Sequence, residues 1–242
     1  MYIPRELKYL EVKRAILEAI GRLSPGAPIP PERDIAVVHE ASRTTVRKAV
    51  TELVAEGRLV RRQGSGTYVA EPKLVWPLTI SGLAAQAAAG GMSVRTRLLS
   101  TERQAATGEL AERLAIRPGG HVLGIESLCY VDDAPVAIER AYVRARRYPG
   151  LAAAVVRTGS VGEALRSDFG VSVAKSVGTI ETAPADQHDA ALLHTGAGAP
   201  MLLVSRHGHT AEGEPVEWVK TYCRGDRASF VTQITGPPPE DR

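Results

Sequence analysis

Apolar positions in the first third of the chain recur with a helical period. Val12, Ile16 and Ile20 lie four apart and Leu17 widens the stripe, which predicts one helix with a buried face. Residues 21–30, rich in Gly and Pro, end it. A short second helix follows, with Pro31 suited to its first turn and Glu32 near the positive end of its dipole. Ser42 is placed to cap a third helix, on which Val46, Val50, Leu53 and Val54 line one face, and Gly57 suits its C-terminal end. Residues 58–62 and 67–70 read as two short strands around the turn Gln63-Gly64-Ser65-Gly66. Three helices and a hairpin in this order predict a winged helix-turn-helix, with the hairpin as the wing.

Glu71-Pro72-Lys73 opens an expected linker that runs to Pro77. Beyond it helices and strands alternate. Ser160-Val161-Gly162-Glu163 has capping-box spacing, and Gly170 closes the helix it starts. A repeat emerges when the segment near residue 122 is laid on that near 201. Each copy has a strand, a turn ending in Pro135 or Pro215, and a second strand with Tyr142 or Tyr222 in register. A helical stretch, Gly108–Ala115 or Ala185–His194, precedes each. Two helix-hairpin units predict one antiparallel sheet with helices on a face, so the expected class is α+β.

Charge sharpens the division. Residues 1–70 hold 12 Lys and Arg against 8 Asp and Glu, whereas the remaining 172 residues hold 18 against 19. The positive excess lies wholly in the first third, which points to a polyanion partner for that part. Cys129 and Cys223 lack metal-ligand spacing; they fit a reducing compartment and leave one disulfide open. The N-terminus lacks the apolar core of a signal peptide and no run is long enough to span a bilayer, so a cytoplasmic protein without membrane contact is expected.

The candidate chemistry of the first third is DNA binding. Ser42, Arg43, Thr44, Thr45 and Arg47 crowd the start of the third helix, with its apolar stripe pointing away. Such a helix end can enter the major groove, where Arg pairs with guanine and hydroxyls meet base edges or phosphate. Arg33 on the preceding helix is expected in the same groove. On the wing, Arg61, Arg62 and Gln63 stand beside Gly64, Ser65 and Gly66, whose bare backbone permits close approach to the sugar-phosphate.

Residues 9–70 resemble the DNA-binding domain of the GntR family of bacterial repressors. The resemblance is carried by Pro30-Pro31-Glu32-Arg33-Asp34-Ile35-Ala36, by residues 42–50, by Leu53-Val54-Ala55-Glu56-Gly57 and by residues 61–69. Residues 78–236 resemble the effector domain of the HutC branch, the UTRA domain, with a chorismate-lyase-like fold. The carriers there are residues 132–140, Tyr148-Pro149-Gly150-Leu151, Pro215-Val216-Glu217 and Arg224-Gly225-Asp226-Arg227. The resemblance implies a winged helix-turn-helix over 1–70, a linker over 71–77, an effector-binding and dimerisation domain over 78–236 and a tail over 237–242. It also implies a homodimer on a palindromic double-stranded DNA operator, modulated by a small-molecule effector.

The chain departs from that pattern in five places, one of them Ala228, where relatives often have a Tyr after the Arg-Gly-Asp-Arg run. Pro31 replaces a usual Ser, removing a cap, and Glu40 replaces a usual Gly in the helix-turn-helix turn, where a positive φ would cost stability. Ser127 and Cys129 stand where relatives that sense phosphorylated sugars resemble one another in an Arg-x-Arg pair. A hydroxyl and a thiol do not replace paired guanidinium groups, so an effector other than a phosphosugar is expected. Ser127, Cys129, Glu139 and Arg206 are the candidate effector contacts, with Ser127 and Cys129 equally readable as packing residues. No cofactor is implied. His207 and His209 share a strand face without a third ligand, so no metal site is expected. The functional readings are a ligand-responsive repressor, a constitutive DNA-binding protein, or a lyase-type enzyme resting on fold analogy alone.

Overall fold

The computed structural model describes residues 5–62, 64–77, 79, 82–106 and 108–232. The chain divides into two compact units, Met1–Lys73 and Leu74–Arg242.

The first unit contains α1 (Arg5–Ile20), α2 (Glu32–Val38) and α3 (Arg43–Ala55), then the hairpin β1 (Leu59–Arg62) and β2 (Gly66–Val69). The predicted stripe is its core: Val12, Ile16 and Ile20 of α1 meet Val46, Val50 and Leu53 of α3, all at most 4% exposed. Each fully buried side chain of this kind contributes about 1.5–3 kcal/mol relative to exposure. The expected breaker segment partly pairs: Gly26 and Ile29 amides donate to Val69 and Thr67 carbonyls, alongside β2. Pro31 stands at the N-cap of α2 without a side-chain cap bond. Glu40, in the α2–α3 turn, has φ +48°, the left-handed conformation that a non-glycine residue adopts only at a cost.

The second unit is built on a six-stranded antiparallel sheet in the order β4 (Val94–Ala105), β5 (His121–Val131), β6 (Ala134–Arg144), β9 (Pro215–Arg224), β8 (Pro200–His209) and β7 (Lys175–Pro184). The repeat is real in three dimensions. Its copies are β4, α5 (Gly108–Arg113), β5, β6 and then β7, α8 (Gln187–Leu192), β8, β9. They meet along β6 and β9, where Arg140 faces Lys220, Tyr142 faces Trp218 and Ile138 faces Tyr222. Arg140 and Lys220 hold equivalent places in the two copies, as do Tyr142 and Tyr222, so the pairing has a local two-fold axis between Arg140 and Lys220. Asp132 and Asp133, both at positive φ, make the tight turn between β5 and β6.

Two expectations need correction. The helices cover both faces of the sheet, not one. On one face, α6 (Leu151–Thr158) and α7 (Val161–Phe169) pack on Ile125, Ala141 and Val219. On the other, the α8 residue Ala190 packs with Leu128 and Ile138, and Leu110 of α5 packs with Val122 and Trp218. The reason lies in β5 and β6, whose apolar residues occupy both parities, so neither face can be left wet. The linker is also shorter than expected. Leu74–Pro77 form β3, parallel to β10 (Ala228–Val231), and Trp76 is 1% exposed beside Ala87 of α4 (Gly82–Ala89), Ala137 and Cys223. A buried indole makes this segment part of the second unit. The expected tail over 237–242 lies outside the described residues.

Replacing Glu40 with Gly relieves the left-handed strain and is expected to stabilise the first unit by about 1 kcal/mol. That corresponds to a Tm rise of roughly 4–8 °C for a unit of this size. Circular-dichroism melting of the variant checks it, and an unchanged or lowered Tm would show that the turn carries no such strain.

Candidate DNA interface and effector pocket

The α3 start is a built helix end. The Ser42 hydroxyl accepts the Thr45 amide at 3.1 Å and lies 2.8 Å from both the Thr44 and Thr45 hydroxyls. Thr45 is itself buried, 8% exposed. Its side chain therefore holds the helix N-terminus and does not face a groove, which corrects its place among the expected base contacts. Arg43, Thr44 and Arg47 stay exposed, with the two arginines one turn apart on a single face.

Around that face the cations differ in what holds them. Arg33 donates to Asp34 at 2.8 Å. Arg47 and Arg61 both donate to Glu32, at 3.2 and 2.8 Å. Arg62 lies over the Tyr68 ring at 4.5 Å, and Lys48 over Tyr9 at the same distance. Arg43 has no ion pair among the described residues. In the wing, Gly64 has φ +71° and Gly66 φ +130°, values that L side chains rarely adopt. Ser65 is exposed between them, its hydroxyl 2.5 Å from that of Tyr68. Gln63 lies outside the described residues. The surface thus joins the exposed side of α3, the start of α2 and the wing root.

In the second unit the strand registers decide which polar groups meet. One row across the sheet runs Leu98, Ser127, Glu139, Thr221 and Val204; the next holds Ile125, Ala141, Val219 and Arg206. Ser127, Cys129, Glu139 and Arg206 therefore share one face. Arg206 comes within 3.8 Å of Glu139 and 3.9 Å of Glu217. A cavity of about 580 Å³ opens on this face, lined by Arg206 and Glu217 from the sheet, Thr96 from β4, Ser160 and Gly162 at the start of α7, and Ala84 of α4. Ser160 caps α7, accepting the Glu163 amide at 3.4 Å.

Ser127 and Cys129 do not line the cavity. They are 7% and 6% exposed, and Cys129 packs beside Trp76, Ala87 and Cys223, which favours the packing reading. Burial pushes both thiols up to about 12. Cys129 and Cys223 both pair with Ala137, from opposite sides, and so stand two strands apart. Their Cα atoms are roughly 9–10 Å apart on strand spacing alone. That exceeds the reach of a disulfide, which closes the possibility left by the sequence.

Glu217 lines the cavity, and the sequence reading did not place it among the effector contacts. It is 3% exposed, its Oε2 has no hydrogen-bond partner among the described residues, and burial pushes its carboxyl upward against the pull of Arg206. A Cβ at Gly208 would meet its Cγ at 3.0 Å, so the neighbouring glycine leaves it room. The available signal was strand parity: position 217 shares the inward parity of Val219 and Cys223 on a central strand, where a carboxylate is out of place.

The opposite face holds a different group. Arg140 donates to Glu126 at 2.8 Å and to the buried Asp189 at 2.5 and 3.2 Å. Glu126, His188 and Asp189 offer ligand atoms within 4.8 Å of one another, but Arg140 already neutralises both carboxylates. His207 and His209 do share a face, with ring centroids 4.2 Å apart.

Comparison with known proteins agrees with both halves. Residues 8–69 match the family model "Bacterial regulatory proteins, gntR family" and residues 89–229 match the UTRA domain. The chain is 35% identical over 228 residues to the HTH-type transcriptional repressor PhnF of Mycolicibacterium smegmatis, covering 94% of this chain and 93% of that protein. It is 35% identical over 144 residues to the histidine utilization repressor of Pseudomonas aeruginosa, covering 58% of each. The crystal structure of the M. smegmatis PhnF superposes with a TM-score of 0.64 at 32% identity, over 93% of this chain and 100% of that one.

The assignment of Arg43 to base reading and Arg62 to phosphate gives distinct expected outcomes. Arg43→Ala should lose about 1–3 kcal/mol on a duplex selected by the wild-type protein from a random pool, and little on a scrambled duplex. Arg62→Ala should weaken both alike and flatten the salt dependence by about one unit. Titrations on both duplexes at several salt concentrations check this, and equal losses for Arg43→Ala would refute its role.

With both domains matched and the relatives named as repressors, this chain belongs to the GntR family of bacterial transcriptional regulators, in the HutC-like branch that carries a UTRA effector domain, and it is a ligand-responsive repressor, not an enzyme.

Proposed function

We propose that the chain binds a palindromic operator in the cytoplasm as a homodimer paired through its second unit, and that its effector is neutral, cationic or a monocarboxylate. The observation that carries the effector class is the charge of the cavity floor. Among the described residues two arginines line the cavity, and each already lies beside acids: Arg206 near Glu139 and Glu217, and Arg166 paired with Glu163. A phosphate monoester carries nearly two negative charges and needs several charge-assisted donors once desolvated. Neither arginine is without a neighbouring acid, which opposes that, and Ser127 and Cys129 supply no further cation. A hydroxyl or ammonium group suits Glu217 better, since its Oε2 lacks a partner among the described residues. An unpaired buried acceptor costs about 1–3 kcal/mol, which a donor on the effector would recover.

Pairing through the second unit is favoured by its edge strand β7, where Val177 and Ile180 are 60% and 44% exposed. Exposed apolar edge strands are surfaces that proteins ordinarily cover. A two-fold dimer presents two recognition helices to two half-sites, hence the palindrome. No described helix is long and apolar enough to cross a membrane.

The effector class is tested by release of the selected duplex with sugar phosphates, unphosphorylated sugars, amines and organic acids. Release by an amine, a neutral sugar or a monocarboxylate is expected, with Glu139→Gln and Glu217→Gln weakening the response in folded protein. Release by a sugar phosphate alone at micromolar concentration would overturn this reading. For the dimer, a chain starting at Leu74 keeps Trp76 and should scatter light as a dimer at micromolar concentration; a monomer would contradict it.

A further inference from the structure

Glu32 stands where the DNA face needs positive charge. It is the first residue of α2, and its carboxylate accepts from Arg61 Nη2 at 2.8 Å through Oε1 and from Arg47 Nε at 3.2 Å through Oε2. One acid thus joins three elements: the start of α2, the exposed face of α3 and the root of the wing. The arginines are largely exposed, 72% and 44%, and Glu32 is 26% exposed. Exposed pairs of this kind add little to stability. The effect of the carboxylate therefore falls on where the two guanidinium groups sit and on what any polyanion arriving at this surface must displace.

We propose that Glu32 is a specificity-determining residue that penalises non-specific DNA more than the operator. The proposal rests on the reading of α3 and the wing as the DNA face. A duplex without the right bases is held by phosphate neutralisation and little else. To use Arg47 and Arg61 on such a duplex, the protein must break both pairs with Glu32 or bring a carboxylate against the phosphates. Either course lowers non-specific affinity. On the operator, base contacts begun by Arg43, which has no ion pair among the described residues, hold the duplex without opening the pairs of Glu32 with Arg47 and Arg61, so the penalty is not incurred there. The cost of Glu32 thus falls mainly on the wrong sequences.

The test is Glu32→Gln, which keeps shape and removes charge, in the full-length protein, with folding followed by circular-dichroism melting. The probes are the selected duplex and a scrambled duplex of the same composition, each titrated at several salt concentrations. The scrambled duplex should bind roughly 5–10-fold tighter, with a log–log salt slope steeper by about 1–2, since each newly neutralised phosphate adds about 0.9. The selected duplex should change less than about twofold, so discrimination falls. Adding Arg47→Gln and Arg61→Gln to Glu32→Gln should abolish the gain. If Glu32→Gln leaves the scrambled duplex unchanged, or weakens both duplexes equally, the proposal is wrong. If the two arginine substitutions alone leave the salt slope of both duplexes unchanged, the DNA-face reading fails and the proposal with it. An arginine effect without a Glu32 effect sinks the proposal alone.

Discussion

The antiparallel pairing of β6 with β9 is the constraint on which the second unit depends. It joins the two helix-hairpin copies into one sheet, and its register sets the facing of every polar side chain on the central strands. With Arg140 opposite Lys220, Glu139 falls on the same face as Glu217, Thr221 and Arg206, while Arg140 falls on the other with Glu126 and Asp189. A slip of one residue between β6 and β9 would turn Glu139 away from Glu217 and Arg206 and bring Arg140 to their face instead. The charge of that cavity is thus a consequence of register as much as of composition.

The two faces handle buried charge in opposite ways. Arg140 meets its acids at hydrogen-bond distance, and all three are satisfied together, as a buried ion group requires. Arg206 lies 3.8 and 3.9 Å from its two acids, and one oxygen of Glu217 has no hydrogen-bond partner among the described residues. The first arrangement holds α8 to the sheet. In the second, Arg206 and Glu217 line a cavity, as polar groups of a binding site do.

The first unit shows a related contrast between packing and function. Its apolar stripe closes on itself, which leaves the charged side chains on its outer surface. On that surface Glu32, Asp34 and Tyr68 hold four of the arginines, and Glu40 turns the chain between α2 and α3 at positive φ. DNA arriving at this surface therefore meets cations that already have partners.

Much of this was legible in the sequence, because periodicity and turn chemistry are local. The α1 and α3 stripes, the Ser42 and Ser160 caps, the wing and the helix-hairpin repeat each follow from residues a few positions apart. The candidate α3 surface was legible for the same reason, apart from Thr45, whose burial depends on contacts made by its neighbours. Long-range pairing was not legible. That Leu74–Pro77 join β10, that both sheet faces are covered, and that Cys129 and Cys223 stand two strands apart depend on partners as much as 154 residues away, as Leu74 and Ala228 are. The Glu32 bridge to Arg47 and Arg61 and the meeting of Arg206 with Glu217 belong to the same class. The sequence by itself determined the elements and the chemistry each carries; only the tertiary structure decided which charges meet, because electrostatic pairing depends on distances in space that no local pattern encodes.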